Sequence, residues 1–125
     1  MIKKFLALSL FTVPALAQSA PVPVFFAYDS PGTNHWLVDN AMHEVLERPE
    51  LLLAAKRDAK ALEVTVVGKV VRDAGEESRG FSFTLGFYRG GERLGEASEY
   101  CRTDKLPDCA DQLVSDITSA DAIRR

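Results

Sequence analysis

Two stretches of the chain alternate between apolar and polar side chains, as strands with one buried face do. The first runs from Leu62 to Val71, and the second, Phe81–Tyr88, places its large apolar residues at every other position. A helix cannot bring residues at that spacing to one side. Gly90 and Gly91 follow, and they suit a two-residue turn that requires positive φ. The pattern predicts a three-stranded antiparallel meander whose last strand, 93–101, lies nearer the sheet edge.

Charges on that last strand have an expected role. Glu96 and Glu99 are expected to discourage pairing with other chains at this edge of the sheet. The polar segment from Arg72 to Gly80 is predicted to be a hairpin loop.

Apolar residues at three- and four-residue spacing predict two helices. One spans 35–48 and is expected to be capped by the side chain of Thr33 or Asn34. The other spans 107–119, begins with a proline in its first turn, and is expected to leave a frayed tail over 119–125.

The remaining segments complete a fold prediction. Residues 21–28 read as a first strand, and residues 50–56 fit either a short strand or a helix continuation, with the strand preferred. The order is β-α-(β)-β-β-β-α. Helices and strands that each carry one apolar face are buried together as two layers. We therefore expect an α+β two-layer sandwich: a mostly antiparallel sheet of four to five strands with two helices packed on one face.

The N-terminus has the form of a secretory signal peptide. Lys3 and Lys4 precede an apolar run from Phe5 to Val13, and a small-residue cleavage pattern ends at Ala17. The run is shorter than the roughly 20 residues of a spanning helix, so no stable membrane anchor is expected. Residues 18–125 are then a single periplasmic or secreted domain.

The net charge of the chain restricts the classes of partner that it is expected to bind. The whole chain has a formal charge of −3, and loss of the two lysines of the leader makes it −5. Nucleic acid and anionic membranes attract basic surfaces, so neither is expected as a partner.

Two cysteines suggest a covalent link. Cys101 and Cys109 are the only cysteines, and an even pair outside the cytoplasm predicts a disulfide. Their spacing matches neither a C-x-x-C redox motif nor a usual zinc site.

Histidines and carboxylates recur along the first helix. His35, Asp39, His43 and Glu47 are four residues apart and would form one row, which makes a metal site possible at His35, Asp39 and His43. A solvated polar face explains the same row, and we predict neither a metal nor another cofactor.

Catalytic chemistry finds little support in the sequence. Ser30, His35 and Asp39 have the residue types of a hydrolase triad, but no G-x-S-x-G segment presents the serine. A hydrolase that uses Asp and Glu residues is a second alternative. We expect a protein that is not an enzyme.

Aromatic residues outside the predicted core offer an interaction surface, because aromatic anchors dominate the energy of protein interfaces. The alternative for these residues is ordinary half-buried packing. The candidates are Phe25, Tyr28, Trp36, Tyr88 and Tyr100.

The chain also resembles known envelope domains. Leu62–Val70, Phe83–Tyr88, Arg93–Gly95 and the closing Leu113–Ile117 are similar in pattern to the small αβ domain at the N-terminus of TolB and in CsgG-like proteins. The resemblance implies a non-enzymatic domain of the bacterial envelope that works by contacting an envelope protein or another copy of itself.

Overall fold

The described part of the chain folds into five strands and two helices. The structure is a computed structural model, which describes residues 20–27, 32–75 and 79–123; the predicted signal peptide lies outside them. The elements are β1 (Val22–Ala27), α1 (His35–Leu46), β2 (Leu51–Leu53), β3 (Leu62–Arg72), β4 (Gly80–Arg89), β5 (Glu92–Arg102) and α2 (Leu106–Ala122).

One sheet contains all five strands, in the order β2-β1-β3-β4-β5. The predicted meander is confirmed, because β3 pairs antiparallel with β4 and β4 antiparallel with β5. β1 lies parallel to both β2 and β3, which places it between them. The preferred short strand within 50–56 is confirmed as β2. The predicted α+β class is therefore the observed one.

The turn between β4 and β5 has the predicted conformation. Gly90 has φ 58° and Gly91 has φ 83°, and both values lie in the left-handed region that residues with a Cβ disfavour. Arg89 pairs with Glu92 on either side of this two-residue turn. The turn sets the antiparallel pairing of β4 with β5.

The core lies between the helices and one face of the sheet. Every second residue of β4, from Phe81 to Phe87, is buried there. The same cluster takes in the apolar stripes of α1 and α2. Its helical members are Leu37, Val38, Ala41, Met42, Val45, Cys109, Ala110, Leu113, Val114, Ile117 and Ala120.

The expected side-chain cap of α1 is wrong. Asn34 occupies the N-cap with φ 69°, and no side chain caps the helix. Its Nδ2 instead donates a hydrogen bond of 3.2 Å to the carbonyl oxygen of Val70. The amide therefore ties the start of α1 to β3.

The end of α2 also differs from the sequence prediction. The helix continues beyond Ser119 to Ala122, so the predicted fraying from residue 119 is wrong over this part. Asp121 is 4% exposed and forms an ion pair with Arg89 of β4. This buried pair holds the last turn of the helix against the sheet.

The predicted disulfide is present between Cys101 of β5 and Cys109 of α2. Their Cα atoms are 5.2 Å apart, within the range of ordinary disulfides. The bridge joins the end of the edge strand to the first turns of α2. Together with the pair at Asp121, it fixes α2 near both ends.

Candidate functional site

One face of the sheet carries no helix. We call it the open face; among residues 20–27, 32–75 and 79–123, no helix packs on it. Its side chains alternate with those of the core, as the strand register requires. Its main members are Phe25, Glu63, Thr65, Val67, Val71, Ser82, Thr84, Tyr88, Glu96, Ser98 and Tyr100.

At one end of the open face, two of the predicted aromatic residues lie in one row. Phe25 pairs with Glu63 across β1 and β3, and Glu63 pairs with Tyr88 across β3 and β4. The guanidinium of Arg57 lies over the Phe25 ring, 5.4 Å from its centroid. Such a contact is attractive because the ring face carries partial negative charge.

Arg57 also fixes Glu63. Its Nε donates to Glu63 Oε1 at 2.7 Å and its Nη2 to Oε2 at 3.3 Å. This two-pronged bond orients the guanidinium over Phe25. The segment between β2 and β3, which carries Arg57, thereby folds over the end of the open face.

A cleft of about 580 Å³ lies beside this row. Its walls come from the segment before β3, the start of β3, the end of β4 and the β4–β5 turn. Thr65 at its floor is 7% exposed. The lining residues are Arg57, Asp58, Ala59, Ala61, Glu63, Thr65, Tyr88, Gly90 and Gly91.

The other end of the open face has a separate patch. Val71 is 58% exposed and Tyr100 is 51% exposed, and both border a groove of about 430 Å³. The Tyr100 hydroxyl donates a 2.6 Å hydrogen bond to Asp73 Oδ2, which raises the pKa of the phenol. Thr84 and Ser98 are joined by a hydroxyl–hydroxyl hydrogen bond of 2.8 Å. This patch is thus a polar surface with two large apolar side chains.

The two ends are well separated along β4. Tyr88 lies six residues beyond Ser82, the residue paired with Tyr100, which corresponds to roughly 20 Å of strand. Trp36 is not on the open face: it lies in the first turn of α1 beneath the guanidinium of Arg72, 5.9 Å from its ring centroid. Tyr28 lies outside the described residues. The structure therefore brings together Phe25 and Tyr88, and adds Tyr100 at a distance.

The histidine row of α1 is only partly assembled. Burial raises the pKa of Asp39, and the charges of His35 and His43 counteract that rise. Over residues 20–27, 32–75 and 79–123, no group of three or more His, Cys, Asp or Glu side chains converges as a metal site would. The metal alternative stays a prediction. Ser30 of the possible triad lies outside the described residues.

Two acidic side chains are half-buried between β5 and α2. Glu99 pairs with Phe83 on the helix-covered face of β5. Asp116 of α2 is also half-buried, and its Oδ2 is inaccessible to solvent. Their interaction raises the pKa of Glu99 to about 7.

Arg57, Glu63 and Thr65 were not predicted as site residues. The carboxylate of Glu63, beside apolar residues at the start of β3, is the sequence feature that could have indicated a partner. No sequence pattern indicated that Arg57 folds back over Phe25.

No protein-family model matches the chain, and no curated protein matches it. Among the helices of the described residues, none combines the length and the apolar character needed to cross a membrane.

Among solved structures, the chain is similar to a minor lipoprotein from Acinetobacter baumannii, at 13% identity and a TM-score of 0.41 over 78% of this chain and 92% of that chain. It is also similar to a dodecameric PelC variant from Paraburkholderia phytofirmans, at 14% identity and a TM-score of 0.41 over 85% of this chain and 88% of that chain. Neither is described as TolB or as a CsgG-like protein, so the resemblance to those families stays a prediction. At these values, neither likeness assigns a function to this chain.

Proposed function

We propose that this protein is a non-catalytic domain of the bacterial cell envelope that binds another protein through the open face. The observation that carries the proposal is that this face holds aromatic side chains at both ends and has no helix over it. Aromatic residues and arginine are enriched among the residues that contribute most to interface energy.

The row of Phe25, Glu63 and Tyr88 is the strongest anchor point. Its cleft of about 580 Å³ is large enough for a few side chains of a partner, and Arg57 and Glu63 bring paired charges to its rim. Tyr88 and Arg57, which both line the cleft, are of the residue types that are enriched at interfaces.

The proposed location in the cell envelope rests on the signal peptide that the sequence predicts. Lys3 and Lys4, the apolar run and the small residues up to Ala17 direct export. The disulfide fits a compartment outside the cytoplasm, where such bonds persist.

Capture from envelope extract under oxidising conditions tests the proposal. Wild-type protein is immobilised beside Tyr88→Ala and Trp36→Ala variants, the second changing an aromatic residue outside the open face. We expect one envelope protein to be retained by wild type and by Trp36→Ala, and to be depleted at least fivefold on Tyr88→Ala. Equal retention by the wild type and both variants would show that this end of the open face does not bind the envelope protein. Circular dichroism verifies that both variants are folded.

A further inference from the structure

Two carboxyl groups lie where β5 packs against α2, and within the described residues no ion pair neutralises either of them. Glu99 points to the helix layer, because its cross-strand neighbour is the buried Phe83. Asp116 lies between Leu113 and Ile117 of the buried stripe of α2. Both side chains are half-buried, and Asp116 is close enough to Glu99 to act on its carboxyl group.

The surroundings offer little to neutralise them. α2 contains no basic residue, and the basic residues of β5 are engaged elsewhere, Arg93 with Glu96 and Arg102 with Asp104. On β4, the facing neighbour is the apolar Phe83.

Gln112 is a neutral polar group that acts on the pair. It lies one helical turn before Asp116, and its hydrogen bond to Glu99 favours the ionised form of that carboxyl. Asp116 Oδ2 has no hydrogen-bond donor within the described part of the chain. The amide therefore offsets only part of the repulsion.

Protonation of one of the two carboxyl groups removes the repulsion between them. Ionised carboxylates only accept hydrogen bonds, so a bond between Glu99 and Asp116 requires that one of them be protonated. We propose that Glu99 and Asp116 form a proton-sharing latch between β5 and α2, which stabilises the fold at acidic pH and is lost as the pH rises past neutrality.

The direction of the pH effect on stability follows from the linkage between proton binding and folding. The hydrogen bond to Asp116, burial and the charge of Asp116 raise the pKa of Glu99 from 4.5 to about 7. The folded protein therefore holds a proton that the unfolded chain releases. The stabilisation is complete below pH 4.5 and disappears as the pH rises through about 7.

The latch lies between two fixed points of α2. The disulfide at Cys109 holds its first turns and the ion pair at Asp121 holds its last turn. Deprotonation is therefore expected to lower the stability of the fold rather than to release the helix.

Urea unfolding of the oxidised chain from pH 5 to pH 8 tests the latch. Between pH 5 and pH 8, we expect the folding equilibrium constant of the wild type to fall by on the order of tenfold or more relative to that of Glu99→Gln. The amide of this variant donates to Asp116 and does not titrate. All other titratable groups are the same in both proteins, so they cancel in this comparison. Glu96→Gln, a change on the open face of the same strand, is the matched control and should keep the wild-type pH dependence.

Carbon NMR of the Glu99 carboxyl in the wild type gives a direct readout that does not depend on any variant. We expect its titration midpoint near pH 7. A midpoint near the ordinary value of glutamate, or an equal loss of stability in wild type and Glu99→Gln, would overturn the proposal.

Discussion

Gly80, the first residue of β4, has no room for a side chain. A Cβ there would lie 2.6 Å from the carbonyl oxygen of Cys101 and 2.5 Å from Cζ of Tyr100. The backbone oxygen cannot move without disturbing the pairing of β4 with β5. The absence of a side chain is therefore a packing requirement at this position.

Gly80→Ala is expected to reduce the free energy of unfolding by about 2 kcal/mol, because overpacking forces backbone shifts. Gly95→Ala on β5 is the matched control, since nothing lies within 4 Å of its Cβ position; it should be neutral or stabilising by up to about 1 kcal/mol. Urea unfolding of both variants measures the difference. Equal stabilities would contradict the close approach at Gly80.

Asp121 is the second residue whose loss should be costly. Asp121→Asn leaves the largely buried guanidinium of Arg89 without its charged partner, and we expect a loss of about 2–4 kcal/mol. The surface pair of Arg93 and Glu96 provides the control, because Glu96→Gln should cost less than about 1 kcal/mol. Thermal or urea unfolding measures both. If the two variants are equally stable, the Asp121 pair does not hold α2.

Single side chains show where the sequence was insufficient. The type of Asn34 suggested a helix cap, but its left-handed backbone turns the amide toward Val70. Glu99 was expected only to discourage pairing at the sheet edge, yet strand register places it under α2. Local composition does not report such register.

Among the elements, the β5–α2 connection depends on a covalent link. Cys101 and Cys109 close a short ring with a sequence separation of 8. Replacement of both cysteines by alanine, or reduction with dithiothreitol, should lower the free energy of unfolding by about 2–3 kcal/mol, because the reduced unfolded chain gains freedom. The double variant should not respond to the reductant. Identical unfolding curves for oxidised and reduced wild type would contradict this role of the bridge.

The elements differ in how far the sequence could define them. Strict alternation in β4 and the glycine pair at 90–91 were sufficient for the meander, because both signals are local. The parallel placement of β1 between β2 and β3 depends on contacts between distant segments. No local pattern in Val22–Ala27 specifies those neighbours.

At the scale of the whole molecule, α1 and α2 cover one face of the sheet, and the open face is the surface that we propose for partner binding. The aromatic candidates were predictable by type, whereas their grouping was not. Phe25 and Tyr88 come into one row through Glu63, and Arg57 reaches the row only because the chain before β3 folds over the sheet. The cleft is a product of tertiary structure.

Site-specific photo-crosslinking in living cells tests the use of the open face most directly. A benzophenone amino acid replaces Tyr88 or Thr84 on that face, or the exposed Ser115 on α2 as the control. The account predicts one discrete adduct with a different protein from the two open-face positions and none from position 115. Adducts of equal yield from position 115, an adduct of two copies of this chain, or no adduct from the open face would contradict it.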